Sequence, residues 1–152
     1  MNSSCEMPSP DTQPATPSSR VLRFRPAAGP AAPHTWEGVS AVAYKPAAEH
    51  HCGVTRTVLV GDGGEQTAFH VRYFEIAPGG FSTLERHRHE HVVVVLRGRG
   101  ELRLGDTTHT IGFGDTAYVA PNEVHQLRNP SATEPFGFLC MVDARRDAPE
   151  IQ

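Results

Sequence analysis

The chain has 152 residues, of which 38% are hydrophobic and 20% charged, with a net charge of -3; that length suits one domain. The mildly acidic balance argues against a nucleic-acid binder, whose footprint is a clearly basic domain. The longest apolar run, Val92 through Leu96, is far too short to cross a membrane, and no apolar signal region follows Met1, so a cytoplasmic protein without membrane association is expected.

Residues 1–33 carry Pro8, Pro10, Pro14, Pro17, Pro26, Pro30 and Pro33 among Ser, Thr and Ala. Such a segment buries too little apolar surface to offset its ordering entropy, and a disordered tail is predicted there. Residues 34–145 then form a single domain of roughly 110 residues, a common size for independent folding. Around residues 47–51, Ala, Ala and Glu favour a turn or two of helix, too short to be stable alone. His50-His51-Cys52 follows without a second donor cluster elsewhere and reads as an ordinary loop.

From Val39 onward, short alternating or apolar stretches predict strands at 39–44, 54–60, 67–76, 81–87, 91–96, 101–104, 107–111, 117–119, 125–128 and 136–142. Turn chemistry separates them: Gly61-Asp62-Gly63-Gly64, Pro78-Gly79-Gly80, Gly98-Arg99-Gly100, Gly105-Asp106, Gly112-Phe113-Gly114-Asp115 and Pro121-Asn122. Strands of this spacing indicate an all-β barrel or sandwich. Val92-Val93-Val94-Val95-Leu96 is apolar on both faces, so it belongs between the interior and a second layer, either another sheet or a partner subunit; a homodimer is expected. Cys140 shares strand parity with Phe136, Phe138 and Val142 and is expected to be a buried, inert thiol. Cys5, Cys52 and Cys140 are an odd set without a Cys-x-x-Cys pair, which fits reduced thiols.

The most informative stretch is Glu85-Arg86-His87-Arg88-His89-Glu90-His91, with His125 following Pro121-Asn122-Glu123-Val124. Residues two apart on an extended strand share a face, so Glu85, His87, His89 and His91 can crowd one side of the chain. Imidazole and carboxylate are the usual donors to divalent first-row metals, and a cation among them relieves the crowding. The competing reading is a surface histidine-rich stretch without metal. His70 and His109 read as structural or exposed, while Arg86 and Arg88 lie close enough to the cluster to test as anion contacts.

Two motifs carry a family resemblance. Gly79-x5-Glu85-x-His87-x3-His91-x6-Gly98 resembles the first cupin motif, and Gly114-x5-Ala120-x-Asn122-x2-His125-x3-Asn129 resembles the second. The resemblance implies a small single-domain cupin: a double-stranded β-helix, or jelly-roll barrel, holding one metal ion. It implies Glu85, His87, His91 and His125 as the ligands, with Glu85 at the family's first histidine position and His91 at its usual glutamate. Asn122 replaces the second motif's glycine, and Asn is the residue that best tolerates the left-handed conformation. A register using His87, His89 and His91 leaves Glu85 outside the coordination sphere, and whether His89 replaces Glu85 stays open. Counting back from Gly98 favours Glu85.

Three neutral imidazoles and one carboxylate leave a divalent ion (Mn, Fe, Ni or Zn) with a net charge near +1 and, if octahedral, two adjacent open positions. That suits chelation of a small organic ligand and binding of dioxygen. The first expectation is a dioxygenase-like oxidoreductase. The alternatives are a non-catalytic ligand-binding or sensor cupin and a metal-dependent isomerase or decarboxylase.

Overall fold

The computed structural model describes residues 19–44 and 50–152, and every regular element in them is a strand. In chain order these are β1 (Phe24–Arg25), β2 (Thr35–Trp36), β3 (Val42–Ala43), β4 (Cys52–Val60), β5 (Phe69–Phe81), β6 (Glu85–Arg86), β7 (His91–Arg97), β8 (Arg99–Leu104), β9 (Thr107–Gly112), β10 (Thr116–Val119), β11 (His125–Arg128), β12 (Phe136–Asp143) and β13 (Glu150–Ile151). The architecture is an all-β curled barrel, as the alternation predicts. Residues 47–49 of the expected helical turn lie outside the described residues; Cys52, exposed, already opens β4.

One wall runs β3-β4-β5-β12-β7-β10, every pair antiparallel. The other is built on β11, which pairs with β6 and β8, while β9 pairs with β8 and β13 with β6. β5 joins the walls: it pairs with β4 and β12 along most of its length and reaches β11 at Phe81, opposite Arg128. The turn expected at Pro78-Gly79-Gly80 is instead a bend within β5. Gly79 has φ 73°, and an added Cβ on Gly80 would meet the Cys52 carbonyl oxygen at 2.6 Å, so glycine lets the strand fold across its neighbour.

Alternation then decides what faces inward. Val54, Phe74, Ile76, Val93, Val95 and Phe138 from the first wall meet Leu102 and Leu127 from the second. Phe138 lies between Phe74 (ring centroids 5.6 Å apart) and Phe136 (5.3 Å). Burial of each such side chain contributes about 1.5–3 kcal/mol, and Val54, Phe74, Leu127 and Phe138 of this core also line the cavity that holds the histidines. In β7, Val93 and Val95 point into this core, while Val92, Val94 and Leu96 face outward and are only half-buried.

Of the expected tail, residues 1–18 lie outside the described residues; in the remainder most side chains are exposed, while β1 pairs with β2, and Phe24, Trp36 and Tyr73 form an aromatic chain with centroid distances of 5.0 and 4.9 Å. Arg97 fastens this segment. It donates to the carbonyls of Gly29, Pro30 and Ala32 and to the Glu75 carboxylate at 3.0 Å. At the other end, residues 146–151 return to the barrel beyond the expected boundary at 145, and Gln152 donates to the Leu84 carbonyl.

Candidate metal centre

His87 follows β6, His91 opens β7 and His125 opens β11, so three separate segments converge at the open end of the barrel. The link between the segments is the left-handed Asn122, φ 63°, whose backbone N–H donates to the His87 carbonyl at 2.7 Å. Asn129, fully buried, donates to the carbonyls of Ile76 and Glu134 and anchors the far end of the same motif.

His87, His91 and His125 are all buried, and one donor atom from each lies within 4.8 Å of the others. Their rings stand 4.8 to 5.1 Å apart at steep angles, so they do not stack. The far nitrogen of each ring has its own partner. Nδ1 of His87 meets the His89 carbonyl at 2.7 Å, Nδ1 of His125 meets the Glu123 carbonyl at 2.8 Å, and Nδ1 of His91 meets Cys140 Sγ at 3.2 Å. A carbonyl only accepts, so Nδ1 of His87 and His125 carries the proton and both Nε2 lone pairs are left unprotonated. Nε2 of His91 lies 3.2 Å from Nε2 of His125. Buried lone pairs gathered this way, each ring held by its other nitrogen, fit a divalent transition-metal ion.

The electrostatics point the same way. Burial, with repulsion from His89, pushes His87 down to about 4, and burial with repulsion from His125 and His87 pushes His91 down to about 2. These imidazoles stay neutral and available as ligands through the physiological range.

Glu85 is placed differently from the three histidines. It stands opposite His125 in the β6–β11 pairing and lines the same cavity, but is not among the donors that meet within 4.8 Å. His89 also lines the cavity, stacked parallel on His87 at 3.6 Å, with its Nδ1 2.7 Å from Asp147. Asp147 accepts from the backbone N–H groups of Arg88 and His89, and these bonds hold its carboxyl well below the usual range. Of the flanking arginines, Arg86 is paired with Glu150 at the surface and Arg88 is exposed.

Sequence reasoning missed three residues of this cavity, Arg72, Arg146 and Asp147, and underrated a fourth, Cys140. Cys140 is buried as expected, yet its sulfur touches both His91 and Arg72, the latter at 3.1 Å, so it belongs to the site's wall. Burial pushes its thiol up, and Arg72 opposes that. One signal was legible: Arg72 shares inward parity with Phe74 and Ile76, where a charge is anomalous. Among the described residues no second donor cluster appears; His51 is buried, His70 half-buried against Arg146 and His109 exposed.

Comparison with known proteins agrees with this geometry. The cupin-domain family matches residues 72–142. The 1-methylthio-D-xylulose 5-phosphate methylsulfurylase of Rhodospirillum rubrum is 42% identical over 119 residues, 78% of this chain and 74% of that protein. A crystal structure of a cupin-2 domain from Rhodospirillum rubrum superposes with a TM-score of 0.74 at 41% identity, covering 80% of each chain. A cupin 2 conserved barrel domain protein from Rhodopseudomonas palustris gives 0.73 at 36% identity, covering 87% of this chain and 86% of its own. Two matched motifs, a curled barrel and three histidines at its mouth lead to one assignment: the chain belongs to the cupin-2 family of conserved-barrel proteins.

Proposed function

We propose that this cupin is a metal-dependent enzyme that removes the methylthio group from a phosphorylated 1-methylthio-ketose, the substrate type in the name of its relative from Rhodospirillum rubrum. The observation that carries this reading is the Cys140 thiol, in contact with both His91 and Arg72 on the wall of the histidine site.

The proposed ligands are His87, His91 and His125, with Glu85 as the anionic fourth. A divalent ion held there would supply Lewis acidity to a ketose oxygen. With His91 as a ligand through its other nitrogen, its proton would sit on Nδ1, which faces Sγ. Arg72 donates to the same sulfur, so two N–H donors favour the thiolate against the burial that opposes it. The thiolate attacks the methylthio sulfur; a sulfur–sulfur bond forms, the carbon–sulfur bond breaks, and its electron pair is left on the carbon beside the ketone. Protonation of that carbon gives the 1-deoxy ketose. The methyl disulfide on Cys140 is returned to the thiol by exchange with two equivalents of a low-molecular-weight thiol, or by transfer to one.

The metal-loaded protein, given 1-methylthio-D-xylulose 5-phosphate and glutathione without dioxygen, should release the methylthio group, and Cys140→Ser should stop release while keeping its metal. Absence of turnover by the wild type, or full activity in the serine variant, contradicts the reading. The dioxygenase-like alternative requires dioxygen consumption, a sensor requires binding without turnover, and an isomerase would retain the methylthio group.

A further inference from the structure

Two arginines face the inside of the first wall, and a third stands close to them. Arg56 stands opposite Phe74 and Val58 opposite Arg72, so the register places Arg56 and Arg72 on the same inward face of adjacent strands. Arg72 and, from the segment after β12, Arg146 line the cavity of the histidine site; Arg56 stands outside that lining but close enough to repel Arg146. Arg72 is only 7% exposed, and its Nε, like that of Arg56, is buried without a hydrogen-bond partner among the described residues. No carboxylate pairs with any of the three among the described ion pairs. What holds them is weak: Arg72 over the Phe74 ring at 5.1 Å and on Cys140 Sγ, Arg56 over the Tyr44 ring at 5.6 Å, and Arg146 on His70 at 3.1 Å.

Arg146 is held below its ordinary value by burial and then by repulsion from Arg72 and Arg56, with Tyr44 and Asp62 as smaller counterweights. Gathering positive charge beside a half-closed cavity costs free energy, and although Glu85 and Asp147 line the same cavity, neither is ion-paired with Arg72 or Arg146 among the described ion pairs. A dianion would repay that cost.

We propose that Arg56, Arg72 and Arg146 form a phosphate subsite that receives the phosphomonoester end of the ligand whose other end meets the histidine centre. The guanidinium of Arg72 is separated from His91 by a single sulfur atom, through contacts of 3.1 and 3.2 Å. Guanidinium groups supply the planar paired donors that phosphate oxygens accept. The inference rests on the reading above that the ligand is a sugar phosphate.

The test is calorimetric binding of D-xylulose 5-phosphate, D-xylulose and inorganic phosphate to the metal-loaded full chain. The phosphorylated sugar should bind at least about tenfold more tightly than the free sugar, and R56Q and R146Q should each lose about tenfold or more of that affinity with metal content unchanged. R72Q should lose more, but it is more deeply buried, so the half-buried pair decides. Equal affinity for the two sugars overturns the subsite. So does phosphate binding that persists undiminished in R56Q and R146Q, which would mean direct coordination to the ion. Arginine-dependent binding without release of a methylthio group supports the subsite and removes the proposed reaction; turnover with arginine-independent binding does the reverse.

Discussion

Replacing Arg97 by Met tests how the chain before β2 is held. The Arg97 and Glu75 side chains are 10% and 11% exposed and meet at 3.0 Å, so they form a largely buried pair. Removing one member of such a pair generally costs about 3–5 kcal/mol, because the other charge stays buried. Here Glu75 keeps two donors, the Tyr73 hydroxyl at 2.8 Å and the His34 N–H at 3.3 Å, which places the loss near the lower end. Arg97 also serves three carbonyls at Gly29, Pro30 and Ala32, so its removal should free the segment that carries β1 and β2. The expected outcome is about 3 kcal/mol in urea unfolding, with faster amide exchange concentrated in residues 24–36. The R97M/E75Q double variant should recover part of the loss. A cost below about 1 kcal/mol, or unchanged protection of residues 24–36, would refute the reasoning.

Further outcomes follow from the site and the surface. Glu85→Gln should weaken metal binding and change reactivity, whereas His89→Ala should lose at most roughly 10- to 100-fold in affinity; an emptied H89A beside a full E85Q would exclude the carboxylate from coordination. Metal-free protein should lose stability as pH falls below about 6.5, since unfolded His91 takes up a proton that the folded state, at about 2, refuses. The slope is on the order of 1 kcal/mol per pH unit, and a flat urea midpoint between pH 7 and 5 would contradict it. A proposed homodimer through the outer face of β7, where Val92 and Val94 are half-buried and Tyr118 is 60% exposed, predicts a dimer in sedimentation at micromolar concentration. Deleting residues 1–18 should leave stability unchanged, while deleting 1–33 removes Phe24 and the carbonyls that Arg97 holds and should cost less than R97M, because the Arg97–Glu75 pair survives; equal effects of the two deletions would count against the contacts of 19–33.

The sequence made the barrel legible because inward Val, Phe and Leu alternate with outward polar residues from β4 to β12, and glycine or proline marks most ends. It hid β1, β2 and β13, two-residue strands that show no periodicity. Proline content also concealed the contacts of Phe24 with Trp36 and of Trp36 with Tyr73 in β5, the latter a long-range contact that no local pattern reports. At the site, His87, His91 and His125 could be read from local spacing, and Asn122 from its turn. The place of Cys140 and Asp147 could not, and parity marked Arg72 only as an anomalous inward charge: each reaches the site through strand register or chain return, with Asp147 58 residues from His89. Local patterns report the strands that carry a site, and the pairing of distant strands selects its remaining walls.

His87, His91 and His125 bring one donor atom each within 4.8 Å of the others, as a cation site would require. Elemental analysis of protein purified without an affinity tag, loaded with a divalent transition metal and desalted, tests this most directly. About one ion per chain in the wild type, falling below roughly a tenth of that in H87A and in H125A with the fold intact by circular dichroism, is the predicted result. A folded wild type that retains no metal, or an H125A variant that retains all of it, would contradict it.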